Sequence, residues 1–330
     1  MKKIIICGIG NALVDSEYKV SDSELLELKL TKGCMELNDK DNHVKLSKQL
    51  KDSHGVVKMM PGGSVANSLY TLSQFGIKAS FIGKVSDDYT GKSFVKSLQD
   101  IGIETSLQST KTGITGECLV LITPDHERTM YTYLGVSSDL RRDDINSEDI
   151  KNSEYLLIEG YLVTSEYTKA VASHCLDIAT ENNIKKIITL SDPNVINFFR
   201  DNMMELLEKN LDIIFCNKQE ALNISMKDNT NDAINFLKQY SSEIIVTSGS
   251  DGAYAYANGE LVHVKSENIK PVDLTGAGDM FLAAYMYSKL NNQDPTRSIM
   301  FANKCSAEII QKYGAKFDDQ MLYKQLLRKL

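Results

Sequence analysis

Several features that define whole classes of protein are missing from this sequence of 330 residues. No two cysteines form a Cys-x-x-Cys pair and none clusters with histidine, which argues against a structural zinc site or a disulfide framework. Only five prolines occur, and no repeat or low-complexity tract is present, so no rigid hinge is predicted. We interpret the cysteines as buried free thiols of a cytoplasmic protein: Cys7, Cys34, Cys118, Cys175, Cys216 and Cys305.

Long apolar runs and basic stripes are also missing. The net charge is -7, which argues against nucleic acid as the main partner. The start "MKKIIICGIGNALVD" begins like a signal peptide, but Gly8 and Gly10 interrupt its apolar stretch and Asp15 ends it, so a first β-strand explains it better. No run reaches the length of a membrane span. We therefore expect a soluble protein with no membrane partner.

Short apolar runs alternate with longer amphipathic ones along most of the chain. Continuous Ile- and Val-rich runs are typical of strands covered on both faces, and strands separated by helices indicate a parallel sheet. We predict strands at residues 3–9, 79–85, 155–161, 185–191, 211–217 and 243–249. We predict helices at residues 64–76, 90–102, 165–183, 199–210 and 231–240. The fold class is therefore α/β.

Two regions, about 15–39 and 112–137, break this rhythm with an alternation closer to period two. In the second, "ECLVLITPDHERTMYTYLGV" predicts two strands joined by the turn "TPDHE", with His126 as a solvated turn residue. We expect both regions to be hairpin-like insertions that form a small β-sheet lid. The remaining segments, 1–14, 40–111 and 138–330, would then form one large α/β domain.

The segment Thr275-Gly276-Ala277-Gly278-Asp279 precedes an apolar run long enough for three helical turns. The first N–H groups of a helix lack intrahelical partners and, with the helix dipole, bind anions. Small residues would let a phosphate reach these groups, and Asp279 could accept a proton from an attacking hydroxyl. We expect the dipole to keep this carboxylate ionised. An ordinary helix start with an acid in its first turn is the alternative.

Two further features fit the binding of a polar substrate. Gly62 and Gly63 precede the predicted helix that carries Asn67, whose amide can both donate and accept hydrogen bonds, as a vicinal diol requires. Asn11 and Asp15 follow the first strand, and ligands bind at the carboxyl ends of parallel strands. The alternatives are a loop before a helix and an ordinary strand end.

Two more features fit a nucleotide. Asn217 and Glu220 follow a strand and could hold a hydrated magnesium ion near phosphates, although a helix capping box explains this spacing equally. Gly249 and Gly252 lie between two predicted strands, where they could admit a nucleotide or simply make a hairpin. "GIGNAL" does not fit a dinucleotide fingerprint, because Leu13 occupies its third small position.

In this order the features resemble the ribokinase-like (PfkB) family of carbohydrate and nucleoside kinases. The resemblance spans Ile4 to Ala315 and depends on "GGSVANSLYTLSQFGIKASFIGKVSDDYTGKSF" and "VDLTGAGDMFLAAY". It implies a three-layer α/β/α sandwich with a mostly parallel sheet and a small β-sheet lid. It also implies ATP-dependent phosphorylation of a primary hydroxyl, with Asp279 as the catalytic base and Gly276, Ala277 and Gly278 as the anion hole.

The resemblance further implies the ligands of each subsite. The substrate would contact Asn11, Asp15, Gly62, Gly63, Asn67, Tyr161 and Arg128, the last of which would approach the phosphates from the lid. ATP would contact Asn217, Glu220, Thr247, Gly249, Gly252 and Asn303. Mg²⁺ would be held through water on Glu220. A monovalent cation such as K⁺ would lie near Asp273 and Thr275, with Gly314 close by.

The acceptor stays open between several molecules. "GNALVD" is similar to the start of adenosine kinases, which indicates a nucleoside. Tyr161 could stack on a base, but Leu162 after it offers no ring, so ribose, fructose or a sugar acid of the 2-keto-3-deoxygluconate type remain alternatives. A non-catalytic sensor of sugars or nucleosides is disfavoured, because Asp279 and its glycines are intact. Both a monomer and a homodimer through the lid are compatible with the sequence.

Overall fold

The computed structural model describes residues 4–33, 35–125, 127–317 and 319–328, so Cys34 and His126 lie outside the described residues. Within these ranges the strands are β1 (Ile4–Ile9), β2 (Leu13–Lys19), β3 (Met35–Leu37), β4 (Lys58–Gly62), β5 (Ala79–Ser86), β6 (Glu104–Thr110), β7 (Thr115–Ile122), β8 (Arg128–Gly135), β9 (Ser153–Glu159), β10 (Lys185–Thr189), β11 (Leu211–Asn217), β12 (Ser241–Thr247), β13 (Ala253–Ala257) and β14 (Glu260–Val264). The helices are α1 (Asp22–Glu27), α2 (Lys40–His54), α3 (Ser64–Gln74), α4 (Tyr89–Gln99), α5 (Ser147–Lys151), α6 (Glu166–Glu181), α7 (Pro193–Leu207), α8 (Lys218–Ser225), α9 (Thr230–Leu237), α10 (Ala277–Leu290), α11 (Pro295–Ile309) and α12 (Gln320–Leu327).

The large sheet has the order β14-β13-β12-β11-β10-β9-β1-β5-β6. Its strands are parallel from β12 to β6, and β13 and β14 add an antiparallel edge. Successive residues of β1 belong to different apolar clusters, Ile6 to one and Cys7 to the other, because helices cover both faces of the sheet. The predicted three-layer α/β/α sandwich is confirmed.

The predicted helices and strands lie close to their predicted positions, with one difference at α7. The pattern predicts a helix from residue 199, but the helix begins at Pro193, where Asp192 caps it. Asp192 followed by proline is a typical helix start. The backbone at Phe199 is non-helical (φ -129°, ψ 34°), so a kink separates the two halves of α7.

The small sheet has the order β3-β8-β7-β2-β4. β7 and β8 form the predicted hairpin. The first insertion is not a hairpin, because β2 pairs with β7 and β4, whereas β3 pairs with β8. Residues 40–62, assigned above to the large domain, pack on this sheet: Leu46 and Leu50 of α2 join Tyr18, Leu25 and Leu119 in one apolar cluster. We therefore propose that the lid comprises residues 13–62 and 115–135.

The remaining expectations concern the thiols and the membrane. Every described cysteine is buried, and none forms a disulfide within the described ranges. In the same part of the chain, no helix combines the length and the apolar character that crossing a membrane requires.

Candidate active site

A cavity of about 1150 Å³ lies between the carboxyl ends of the large-sheet strands and the small sheet. Of the residues predicted from the sequence, its walls include Asn11, Asp15, Gly63, Asn67, Arg128, Tyr161, Asn217, Glu220, Thr247, Gly249, Asp273, Thr275, Gly276, Ala277, Gly278 and Asp279. The parallel strands end at one edge of the sheet, which is why residues from distant parts of the sequence meet here.

Asp279 lies in the first turn of α10 and is held by the first turn of α3. The Ser64 hydroxyl donates to its Oδ1 at 2.6 Å, and the Asn67 Nδ2 donates to its Oδ2 at 2.9 Å. The Ser68 hydroxyl also donates to the Asp279 carbonyl at 3.3 Å. The two glycine-led helix starts recognised in the sequence therefore face each other across the carboxylate.

Burial raises the pKa of Asp279 above its ordinary value, while the hydrogen bonds from Ser64 and Asn67 and the charge of Lys316 oppose this rise. Removal from water therefore has a larger effect on the pKa of this group than the hydrogen bonds and the nearby ammonium that favour its ionised form. A raised pKa makes the Asp279 carboxylate a stronger base, which suits proton abstraction.

The glycines before Asp279 have different structural reasons. Gly276 caps α10 in the left-handed region (φ 76°, ψ 3°), and a Cβ there would overlap Ala315. A Cβ at Gly278 would meet no atom within 4 Å, so the space over this residue is open. The Ala277 N–H already donates to the Leu274 carbonyl at 3.2 Å. The Gly278 and Asp279 N–H groups are therefore the better donors for an anion.

On the acceptor side, burial raises the pKa of Asp15 to about 6, with Lys316 and Arg128 opposing the shift. Gly62 is the last residue of β4 and lies behind the cavity wall, where a Cβ would collide with the Asp15 carboxylate. Gly63 has φ 91° and approaches the Asn11 carbonyl too closely for a side chain. Both glycines are thus required for the close packing of the part of the cavity lined by Asn11, Asp15, Gly63 and Glu159, which is called the acceptor wall below.

Two functional candidates at this wall are missing from the sequence-based set. Glu159 ends β9 and is 1% exposed, and burial raises its pKa to about 7. Its Oε1 accepts from Asn11 Nδ2 and its Oε2 from the Val65 N–H, both at 3.2 Å. The sequence does contain a signal for Glu159, because a carboxylate at the end of an apolar strand lies where ligands bind.

Lys316, the second missing residue, is 4% exposed, and burial lowers its pKa to about 8. Its Nζ donates to the Pro61 carbonyl at 2.6 Å and lies 4.8 Å from the centre of the Tyr70 ring. The residue belongs to no recognisable motif, so only the folded chain reveals it beside the acceptor wall.

On the opposite side of the cavity, Asn217 and Glu220 form a capping box on α8. Asn217 Oδ1 accepts the Glu220 N–H at 2.8 Å, and Glu220 Oε2 accepts the Asn217 N–H at 2.9 Å. Asn217 Nδ2 also donates to Glu220 Oε1 at 2.6 Å. Burial raises the pKa of Glu220 to about 8. Because the cap engages both oxygens, contact with a metal through water would preserve the cap, whereas direct coordination would compete with it.

A magnesium ion bound mainly by phosphate and water fits this donor set. Across the described ranges, no group of three or more His, Cys, Asp or Glu side chains is arranged to hold a metal. Mg²⁺ commonly keeps several waters and is held by one or two carboxylates together with substrate phosphates. Glu220, with Asn217 beside it, offers such a partial site.

The other predicted nucleotide contacts divide into two groups. Thr247 and Gly249 line the cavity. Gly252 and Asn303 lie behind it: Gly252 (φ 89°) packs against the Val264 carbonyl, and Asn303 Nδ2 donates to the same carbonyl at 3.3 Å. These two residues fix the β13–β14 edge and would influence a nucleotide only through that edge.

Tyr161 lines the cavity beyond β9, and its hydroxyl is 3.5 Å from Asp192 Oδ2. Burial raises the pKa of this phenol, and the surrounding carboxylates add to the effect. Tyr161 therefore forms part of the cavity wall near Asp192.

Arg128 reaches the cavity from β8, but its guanidinium is already paired. Nη1 donates to Asp273 Oδ2 and Nη2 to Glu17 Oε1, each at 2.9 Å. Asp273 also accepts the Thr275 N–H at 2.9 Å and the Gly314 N–H at 2.6 Å. Of the residues expected around a monovalent cation, Asp273 thus pairs with an arginine, while Thr275 and Gly314 donate to Asp273.

Most of the chain matches a known protein family. The description "pfkB family carbohydrate kinase" matches residues 34–320. The adenosine kinase of Dictyostelium discoideum is 27% identical over 339 residues, covering 96% of this chain and 97% of that protein. The 5-dehydro-2-deoxygluconokinase of Clostridium perfringens strain 13 is 26% identical over 293 residues, covering 84% of this chain and 86% of that protein.

Solved structures show the same similarity. A probable sugar kinase from Rhizobium etli CFN 42 superposes with a TM-score of 0.91 at 26% identity, covering 100% of this chain and 99% of that one. The adenosine kinase from Sinorhizobium meliloti gives a TM-score of 0.90 at 26% identity, covering 99% and 100%. The chain is therefore a ribokinase-like kinase, a phosphotransferase with an alcohol group as acceptor. It belongs to the PfkB family of carbohydrate kinases.

Proposed function

We propose that this kinase transfers the γ-phosphate of ATP to a primary hydroxyl of an uncharged nucleoside or sugar. The observation that carries the proposal is the meeting of two helix starts at Asp279. Ser64 and Asn67 orient the carboxylate, and the open first turn of α10 lies beside it. A base and a set of anion-binding N–H groups are the two elements that phosphoryl transfer requires of a protein.

In this reaction the acceptor hydroxyl oxygen attacks the γ-phosphorus, the bond to the β–γ bridging oxygen breaks, and ADP leaves. Asp279 accepts the hydroxyl proton. The Gly278 N–H would donate to the transferring group, and the space over Gly278 is open to receive it. Mg²⁺, held through water by Glu220 and Asn217, would neutralise phosphate charge when bound.

Vicinal hydroxyls of the acceptor would contact Asp15 and Asn67. Asn67 Oδ1 is buried and has no hydrogen-bond partner in the described part of the chain, so it can accept from a substrate hydroxyl. Tyr161 would pack against the part of the acceptor that carries no vicinal hydroxyls. In a nucleoside this part is the base, and in a sugar it is another face of the ring.

The charge of the acceptor wall supports a neutral substrate. Asp15, Glu159 and Asp279 contribute three carboxyl groups, whereas Lys316 already donates to a carbonyl. At neutral pH Asp15, with a pKa of about 6, is mostly ionised and would repel a substrate carboxylate unless the Lys316 ammonium turned towards that substrate. The names of the adenosine kinase and sugar kinase relatives agree with a neutral acceptor.

A sugar-acid kinase is the second candidate, because Lys316 is a buried cation near the acceptor wall and some relatives are named 5-dehydro-2-deoxygluconokinase. The proposal holds for a monomer and equally for a homodimer through the small sheet, whose outer strands are β3 and β4.

The test is an ADP-release screen with phosphorylated product identified by mass. The panel should contain adenosine and other nucleosides, ribose, fructose, 2-keto-3-deoxygluconate and 5-dehydro-2-deoxygluconate. We expect turnover with a neutral member of the panel. A preference for a sugar acid would overturn the neutral assignment, and the lack of product from every member would contradict the acceptor class.

A further inference from the structure

A buried ion cluster joins the small sheet to the loop that precedes α10. Arg128 opens β8 and Glu17 lies on β2, so both belong to the small sheet, whereas Asp273 precedes the glycine-rich turn. The two ion pairs measure 2.9 Å each, and the exposed fraction of each of the three side chains is at most 8%. The guanidinium is therefore removed from solvent between two carboxylates.

Asp273 connects this ion cluster to the turn that precedes α10. Its Oδ1 accepts the Thr275 N–H, next to the Gly276 cap of α10. Its Oδ2 accepts the Gly314 N–H, next to Ala315, which packs on Gly276. One carboxylate thus orders both segments that shape the start of α10, and the counter-charge of that carboxylate comes from Arg128.

A monovalent cation does not fit this arrangement. Asp273 Oδ2 already accepts two hydrogen bonds, one of them from the guanidinium. An alkali ion on the remaining oxygen would lie close to a positive charge in a site with little water to screen the repulsion. The residues implied for K⁺ are present, but the Arg128 guanidinium already supplies the positive charge beside Asp273.

We propose that Arg128 replaces the monovalent cation, so that the small sheet itself supplies the positive charge that orders the turn before α10. The proposal rests on the proposed kinase function of the same site. Arg128 acts here as a positioning residue through Asp273. Activity and folding should then be independent of K⁺, and the turn should be fully ordered only while the small sheet packs against it.

The first experiment uses the unaltered protein. Its melting temperature and its ADP-release rate are measured in KCl and in tetramethylammonium chloride at equal ionic strength. We expect the same values in both salts. A melting temperature several degrees higher in KCl would overturn the proposal. Melting requires no turnover, so this result stands even if no acceptor is found and the kinase assignment fails.

The second experiment removes the guanidinium with Arg128→Ala and, to keep bulk, Arg128→Met. Both variants should melt earlier in tetramethylammonium, because two buried carboxylates lose their partner. Their kcat should fall about 100-fold through displacement of the turn. KCl should raise the melting temperature and restore part of the kcat.

Two controls complete this design. Arg297→Ala removes an exposed arginine and should show no response to K⁺. Arg128→Lys retains a charge and should respond to K⁺ less than Arg128→Ala. If the Arg128 variants fold and neither readout responds to K⁺, Arg128 does not occupy a cation site. If they fail to fold, the comparison of salts on the unaltered protein decides.

Discussion

Asn67 and Asp279 are 212 residues apart in the sequence, and the Asn67 amide donates a 2.9 Å hydrogen bond to the Asp279 carboxylate. This bond joins the segment predicted to bind the substrate, which contains Asn67, to the segment predicted to bind phosphate, which ends at Asp279. Each motif taken alone has an ordinary structural explanation as a helix start. Their contact is the observation that supports the proposed phosphotransfer site.

Asp279→Asn should reduce kcat about 1000-fold, because an amide of the same shape cannot accept the hydroxyl proton. The KM for the acceptor should stay close to that of the unaltered protein, since the loss concerns the transition state. Steady-state ADP release measures both. Asp100→Asn, on an exposed acid paired with Lys96, is the matched control. A near-normal kcat for Asp279→Asn would refute the base assignment.

Lys316→Met should move the acidic limb of the kcat/KM profile to higher pH. The ammonium lowers the pKa of both Asp15 and Asp279, so its removal raises them. A base must be deprotonated to act, and with a higher pKa the activity is lost earlier as pH falls. Lys316→Arg should keep the limb in place. A uniform loss of kcat at every pH would instead mean that Lys316 has a packing role only.

Gly278→Ala and Gly276→Ala should fail in different ways. The methyl group at residue 278 enters open space, so stability should hold while the KM for ATP rises and kcat falls. At residue 276 the left-handed backbone costs roughly 1–2 kcal/mol and the methyl overlaps Ala315, so the melting temperature should drop. Thermal melting and steady-state kinetics separate the two effects. Normal kinetics for Gly278→Ala would contradict a phosphate site there.

Glu159→Gln should change how stability depends on pH. Burial raises the pKa of Glu159 from 4.5 to about 7, so the folded state holds this proton more tightly than the unfolded state. Its contribution to stability is present below pH 4.5 and is lost as pH rises through 7. The unaltered protein should therefore lose roughly 3 kcal/mol relative to Glu159→Gln over this window. Urea unfolding at pH 5 and 7.5 measures it, with exposed Glu148→Gln as control, and equal pH dependence of all three proteins would disprove the shift.

Local patterns in the sequence predicted most strands of the large sheet, although not β6 or β14, and most of the residues that line the cavity. Continuous apolar runs marked strands such as Ile4–Ile9, because burial on both faces leaves no room for polar side chains. Glycines before helices marked the turns at Gly63 and Gly276, because few other residues adopt their backbone angles.

Pairings between distant segments were beyond those patterns. Lys316 is positioned by its hydrogen bond to the Pro61 carbonyl, 255 residues away in the sequence. Nothing in the sequence around Lys316 indicates that contact. In the first insertion, an alternation of period two predicted strands but not their partners. Two helices, α1 and α2, and the strand β3 separate β2 from the segment that it pairs with, β4.

The distribution of the site between the two sheets has an evolutionary consequence. Asp15 lies on the small sheet, whereas Asp279 and Gly278 lie on α10, a helix packed between α3 and α11. Under the proposed function, substitutions in the small sheet that spare Glu17 and Arg128 would change which molecule is recognised without disturbing the phosphate chemistry. Relatives that share this architecture could therefore diverge towards nucleosides, sugars or sugar acids by altering one module and inheriting the other.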